Sequence, residues 1–309
     1  MTSSDFQLDR EAIDLPTGAW ARTRRRILRW RGREVFGLSQ GQFRAYLYPV
    51  FTPGGFAVTS ESPADHPHHH SIWIGSDHVH CLVPAAEGKH EEYTYNLYVN
   101  ETFQGRAPGA IMETATNGEP VGADRFRVTQ SLEWRGPSEW AAWDGRVLAR
   151  EERMLDVAAA ASHYVIDVRS RVSPTEWDLV LGPTRHAYLN VRVAESIKVE
   201  AGGAMLDSRG NGDAHIITGS DAEWVGYSGP VGGGNNAGVA VMPHPDCGKP
   251  WWFVTDWGVI TVGHYRDRQM RLPIGETAEF RFRVVVHDGD AAAAGIDELY
   301  RNYIEGSQS

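Results

Sequence analysis

The sequence predicts an all-β protein, an antiparallel β-sandwich, and three observations carry that expectation. Short runs of β-branched and aromatic residues recur along the chain, punctuated by Gly, Pro, Asn and Asp. Several runs alternate apolar with polar side chains, the pattern of a strand with one face in a core and one in water. Only one stretch, close to the C-terminus, has helical periodicity, so no crossover helices are on hand to join parallel strands.

In chain order, RTRRRILRWRGR (22–33) alternates in a strand-like way and reads as an edge strand whose arginines discourage pairing with another chain. FRAYLYPV (43–50), GFAVTS (55–60), HSIWIG (70–75) and YTYNLYV (93–99) follow as strands. RFRVTQSLEW (125–134) and HYVIDVRSRV (163–172) alternate most cleanly, and WDLVLG, GVAVM, WWFVT, GVITVGHY and AEFRFRVVVH complete the set. VGGGNN (231–236) reads as a loop between strands, because no helix start follows it to make a phosphate cradle. In AAAAGIDELYRNYIEG (291–306), Ile296, Leu299, Tyr300 and Tyr303 recur at helical spacing and Gly306 stops the run, which predicts a helix capping the sheets. No low-complexity linker or fixed-period repeat divides the chain, so one domain over 1–309 is expected, with residues 1–20 as a loose lead-in.

Of 309 residues 41% are hydrophobic and 23% charged, enough for a large core in a soluble protein. Lys plus Arg is 30 against 40 Asp plus Glu; the net charge of −10 opposes nucleic acid and anionic membrane alike. Apolar runs of about five residues fall far short of the ~20 that cross a bilayer, and the polar start lacks a signal-peptide core. Cys81 and Cys247 form no CxxC motif, and a reducing cytoplasm is the expected compartment. Exposed sheet edges and aromatic patches fit a homodimer.

Chemistry concentrates where histidine does. Of the 13 histidines, six are His66, His68, His69, His70, His78 and His80. If 66–70 is extended, a period of two places His66, His68 and His70 on one face. Imidazole exchanges protons near neutrality and is the commonest metal ligand. Two readings stay open: general acid–base catalysis by one or two histidines, or a divalent metal (Zn, Mn, Ni or Fe) on His66, His68, His70 and His80 with Glu92 nearby. In GPTRHAYLN (182–190), alternation lets Arg185, His186, Tyr188 and Asn190 present a cation, an imidazole, a phenol and an amide to a polyhydroxylated ligand. Trp73, Tyr95, Trp252 and Trp257 are candidate stacking surfaces, and Glu92, Asp256 and His264 candidate polar partners. No G-x-S-x-G elbow, Walker loop, HExxH or dinucleotide fingerprint occurs.

YPVFTPGGFAVTSESPADHPHHHSIWIG, WWFVTDWGVITVGHY and LPIGETAEFRFRVVVHDGD together resemble the soluble bacterial PmoA-like proteins, over about residues 43–290. The D-H-P-H-H run is the specific part, with His70 and Ser71 standing where many members carry Arg and Gly. That resemblance implies carbohydrate metabolism by association; methane oxidation is not carried over to a chain without a membrane span. GPTRHAYLN is similar to the T-N-H-x-Y-F-N segment of aldose epimerases, which are galactose-mutarotase-like sandwiches. By that match His186 is a general acid toward a ring oxygen, supported by Tyr188 and Asn190, and Arg185 replaces an Asn. The family's late catalytic Glu has no counterpart; Asp256 and Asp267 occupy that region instead.

The expectation is a mutarotase-like sandwich acting by acid–base chemistry near the anomeric centre of a sugar or oxidised sugar. His186, His68, His70, Glu92, Asp256 and His264 are the candidate catalytic groups, and Arg185, Tyr188, Asn190, Tyr95, Trp73, Trp252 and Trp257 the candidate binding groups. A metal-dependent lyase or hydrolase and a non-catalytic carbohydrate-binding subunit are the alternatives.

Overall fold

The computed structural model describes residues 4–15 and 23–306. Two large sheets are stacked face to face, so the expected antiparallel sandwich is observed. The first runs in space as Phe6–Leu8, Thr23–Trp30, Arg33–Gln40, Ala45–Val50, Ile72–Pro84, Ala187–Arg192, Val259–Gly263 and Trp251–Val254, with His90–Leu97 also on Ile72–Pro84. The second runs as Ala204–Asp207, Val225–Gly232, Asn235–Pro243, Ala278–Asp288, His163–Pro174, Val147–Ala159, Arg125–Arg135 and Ala110–Pro120. Among the described residues, one short contact, Tyr95 and Asn96 with Ala107 and Pro108, is parallel.

Register decides which side chains meet between the sheets. In the first sheet Leu47, Ile72, Val191, Ile260 and Val254 stand side by side on successive strands, all buried in the common core. They face a matching row in the second sheet: Val157, Ile166, Val284, Val241 and Val225. Each such side chain stabilises the fold by about 1.5–3 kcal/mol relative to exposure. A one-residue slip would turn the polar neighbours Asn190 and Thr261 into this layer, and that penalty holds the register.

The helix Ile296–Glu305 lies on the outer face of the second sheet. Its Ile296, Tyr300 and Tyr303 cover Val165, Val285 and Ala240, and Asp297 accepts the Trp224 indole N–H at 2.8 Å. The outer face of the first sheet is thereby the one left to other uses.

Several expectations need correction. GFAVTS forms only isolated bridges, Phe51 to Ala57 and Thr59 to Val193, not a strand. Thr23–Trp30 is not the edge of its sheet, since Phe6–Leu8 and Ile13–Leu15 pair along its far side. Those two short strands lie in the stretch read as a loose lead-in; residues 1–3 and 16–20 of that stretch lie outside the described residues. No helix among the described residues is long and apolar enough to cross a membrane.

Candidate functional site

Directly behind the aliphatic row, one residue on along each strand, Tyr46, Trp73, Asn190, Thr261 and Phe253 form a second row on the outer face of the first sheet. Tyr46, Trp73, Asn190 and Thr261 are buried, so something covers them. Three segments do: residues 61–71, the stretch from Tyr98 to Arg106, and the turn holding Trp257.

The most constrained chemistry sits where Ile72–Pro84 leaves regular pairing. Ser76 faces Leu97 and Val79 faces Tyr95, so Asp77 and His78 together stand opposite Asn96, a β-bulge. Before the bulge Ile72 and Ile74 point into the core; after it Val79 and Cys81 do. The switch leaves Asp77, only 1% exposed, on the site side. Its carboxylate accepts from His186 Nδ1 at 3.0 Å and Arg106 at 3.3 Å on one oxygen. His78 Nδ1, at 2.8 Å, and the Thr184 hydroxyl bind the other. Burial works against this charge, yet the hydrogen bonds from His186 and His78 outweigh it and hold the carboxyl well below its ordinary range.

His186 is thereby fixed at both ends. Its backbone N–H donates to Thr184 at 2.9 Å, and its Nε2 accepts from Arg185 Nε at 3.3 Å. An acceptor at Nε2 and a donor at Nδ1 assign the neutral tautomer, with the lone pair away from Asp77. Tyr98 and Phe103 enclose the ring, with centroids at 5.1 and 5.8 Å.

The histidine run does not form the expected extended ladder. His66 N–H bonds to Pro63 and His69 N–H to His66, so Pro67 lies in a pair of tight turns and the period of two is lost. His66 stacks on His69 at 4.8 Å and on Trp257 at 4.3 Å. His68 turns toward Tyr98 at 5.7 Å, whereas His70 stacks on Tyr46 at 4.8 Å. Asp65 braces the turn, binding His66 Nδ1 at 2.9 Å and the fully buried Arg192, whose guanidinium lies 5.0 Å from the Trp257 ring. A cavity of about 360 Å³ opens beside this wall, lined among others by Tyr46, His68, His70 and Asn100. Burial, reinforced by the nearby Arg44 charge, lowers His68 to about 4 and His70 to about 3, so both are neutral at pH 7.

Of the residues expected at the site, His186, Arg185, His68, His66, Trp73 and Trp257 are brought together, with His70 at the adjoining cavity. Trp73 is floor, not platform, 5.0 Å beneath His69, and Trp257 is occupied by His66 and Arg192. Asn190 lies below the surface, its amide N–H bonded to the Tyr188 carbonyl. Tyr188 is displaced altogether: fully buried between the sheets, it packs 4.1 Å from Phe280 and its hydroxyl meets Ser170 at 2.7 Å. Trp252 is likewise core, its indole N–H held by the Ala222 carbonyl. His264 stacks near Phe280 and Phe282 and lines a different hollow with Trp251. Asp256 is exposed, and Tyr95 packs against the core edge. His80 has both ring nitrogens engaged, Nδ1 near Glu92 and Thr94 and Nε2 at the Gly182 carbonyl. His66, His68, His70 and His80 therefore do not converge, and no group of three His, Cys, Asp or Glu side chains among the described residues is placed to hold a metal.

Asp77, Tyr98, Arg106 and Arg44 belong to the site without having been singled out. One signal pointed to Asp77: a carboxylate inside the strand-like run IWIGSDHVHCLV, whose apolar residues mark it as partly buried, is expensive to bury unless it is bound by donors.

Among solved structures, the chain is similar to the Slr1438 protein of Synechocystis sp. PCC 6803, at 11% identity over 94% of this chain and 99% of that one, TM-score 0.35. It is also similar to a galactose mutarotase related enzyme of Lactobacillus acidophilus, at 8% identity over 82% and 95%, TM-score 0.33. A third likeness is to the galactosidase domain of an alpha-galactosidase–sucrose kinase, AgaSK, at 9% identity and TM-score 0.33; it covers 75% of this chain, which spans 42% of that protein's length. A search of curated proteins found no match. The PmoA-like name expected from the sequence does not recur in these comparisons. Residues 28–301 match the profile of a family described as being of unknown function, DUF6807, and the chain belongs to that family.

Proposed function

We propose that this chain is a carbohydrate-processing enzyme in which Asp77 and His186 form a proton-transfer couple, acting at or beside the anomeric centre of a sugar or oxidised sugar. One observation carries the reading: a buried, ionised Asp77 grips His186 Nδ1 and leaves the lone pair of Nε2 facing a solvent-exposed side chain, Arg185. A buried carboxylate in that position fixes the tautomer and stabilises the imidazolium that forms when Nε2 takes a proton. Arg185 is exposed and stacked on Phe253, so a ligand oxygen can replace its N–H at Nε2. Neutral His68, on the other side of Tyr98, supplies a second imidazole for donation or acceptance. Aromatic rings interleaved with amide, imidazole and guanidinium donors suit a ligand with alternating C–H and hydroxyl surfaces.

The test is proton NMR in D₂O of a panel of aldoses, ketoses and sugar acids, with wild type and His186→Ala. Accelerated anomer exchange or deuterium uptake at carbon, lost in the variant, supports the reading. Sugar binding without either change would make the chain a carbohydrate-binding module instead.

A further inference from the structure

Arg44 precedes the strand Ala45–Val50 and is completely buried. Its Nη2 donates to two neutral acceptors, the Tyr98 carbonyl and Asn100 Oδ1, the latter at 2.6 Å. Nε and Nη1 are buried with no hydrogen-bond partner. Among the described residues no carboxylate forms an ion pair with it, although Arg192, also fully buried, is paired with Asp65 and Glu195. The other acids of the neighbourhood are committed: Glu61 to Tyr46 and Arg25, and Asp77 to the His186 cluster. Glu101 is exposed at the cavity rim and carries no ion pair.

An isolated buried cation is costly, and folded proteins keep one where something completes it. The cavity beside it is walled by Tyr46, His68, His70 and Asn100. Asn100 touches both Arg44 and, at 3.4 Å, His70 Nε2. Both histidines are neutral and so add donors without adding charge. The charge buried beside the cavity is therefore that of Arg44, with the Glu101 carboxylate out at the exposed rim, and the donors that can reach a ligand come from Asn100 and His68, since His70 Nε2 meets Asn100 and its Nδ1 is sealed from solvent. Arg44 itself, sealed from solvent, acts across them by Coulomb attraction, which a low-dielectric setting strengthens.

Building on the carbohydrate reading above, we propose that this cavity receives an anionic group of the substrate, a carboxylate, so that the preferred ligands are sugar acids and not neutral sugars. Arg44 is then a positioning residue that selects charge, and Asn100 its direct contact.

The test is isothermal titration calorimetry of the full chain at pH 7.5 with glucuronate, gluconate and glucose, on wild type and Asn100→Asp. That substitution places a carboxylate 2.6 Å from Arg44 and fills the missing charge from within. The expected result is at least tenfold tighter binding of the acids by wild type. In Asn100→Asp that preference should collapse to within about twofold and the thermal midpoint should rise. Equal affinity for glucose and the acids overturns this inference and leaves the carbohydrate reading standing. An acid preference that survives in Asn100→Asp also overturns it. If none of the three binds, the carbohydrate reading itself falls, and this one with it.

Discussion

Asp77 Oδ2, on the strand Ile72–Pro84, lies 3.0 Å from Nδ1 of His186, the residue just before the antiparallel partner strand Ala187–Arg192 and more than a hundred residues away in the chain. The bulge at Asp77–His78 aims the carboxylate, and Thr184, bonded to both partners, sets the approach of the imidazole. Replacing Asp77 by Asn removes the charge that stabilises an imidazolium and keeps the size, but leaves one acceptor oxygen where the carboxylate offers two, so the two donors on the other side lose their acceptor. Turnover in the NMR assay should fall by about 10²–10⁴-fold, as should that of His186→Ala. Circular dichroism should show both variants folded; full activity in either would remove the couple from the mechanism.

Stability should fall as the solution is acidified below neutrality. His68 and His70 stay neutral in the native state down to about 4 and about 3, but titrate near 6.5 when unfolded. Between those limits the unfolded chain binds more protons, so their contribution is complete above pH 6.5 and is lost as pH drops, at about 1.4 kcal/mol per pH unit for each. Asp77 has the opposite chemistry and a lowered carboxyl: its contribution persists above roughly pH 4 and disappears only in stronger acid. A fall in the calorimetric midpoint from pH 6.5 to 5 therefore reports the buried neutral histidines, His69 and His287 among them, and His70→Gln should make it shallower by the share of one group. A midpoint unchanged across that interval would contradict their burial as neutral groups.

Tyr188→Phe separates the observed position of this residue from the one its alternation suggests. In the core, the change removes one hydroxyl bond to Ser170, which keeps its bond to Glu151. A loss of about 1 kcal/mol in denaturant unfolding with unaltered turnover is expected. A large drop in turnover without loss of stability would return Tyr188 to the site.

The histidine geometry also bears on metal. His80 is occupied at both nitrogens and His66, His68 and His70 point to different neighbours. Elemental analysis of tag-free protein should find well under one equivalent of Zn, Mn, Ni or Fe, and chelation should leave the thermal midpoint in place. One tightly held equivalent would show that the turns around Pro67 rearrange to bind it.

Sandwich and helix were legible because they rest on local periodicity: the alternation of RFRVTQSLEW and HYVIDVRSRV and the spacing of Ile296, Tyr300 and Tyr303 persist in the structure. His186 and His68 were legible as residue types. Their relation was not, because it depends on breaks in periodicity. The bulge at Asp77–His78 reverses which side chains face the site, and the turns around Pro67 scatter histidines that an extended chain would align. Tyr188 misled for the same reason: polar alternation in GPTRHAYLN suggests one face, but the phenol satisfies its hydroxyl inside the core. Arg44 gave no signal, since a lone arginine before a strand is ordinarily solvated.

Asp77 holds His186 as a neutral base that a ligand addresses at Nε2. Long-range ¹H–¹⁵N correlation NMR of histidine-labelled protein at pH 7.5, during titration with glucuronate and glucose, reads it directly. The expected spectrum has a proton on Nδ1 of His186, a lone pair on Nε2, and a shift of the Nε2 resonance on addition of a sugar. A proton on Nε2 with a bare Nδ1, or a His186 spectrum indifferent to every sugar, would contradict it.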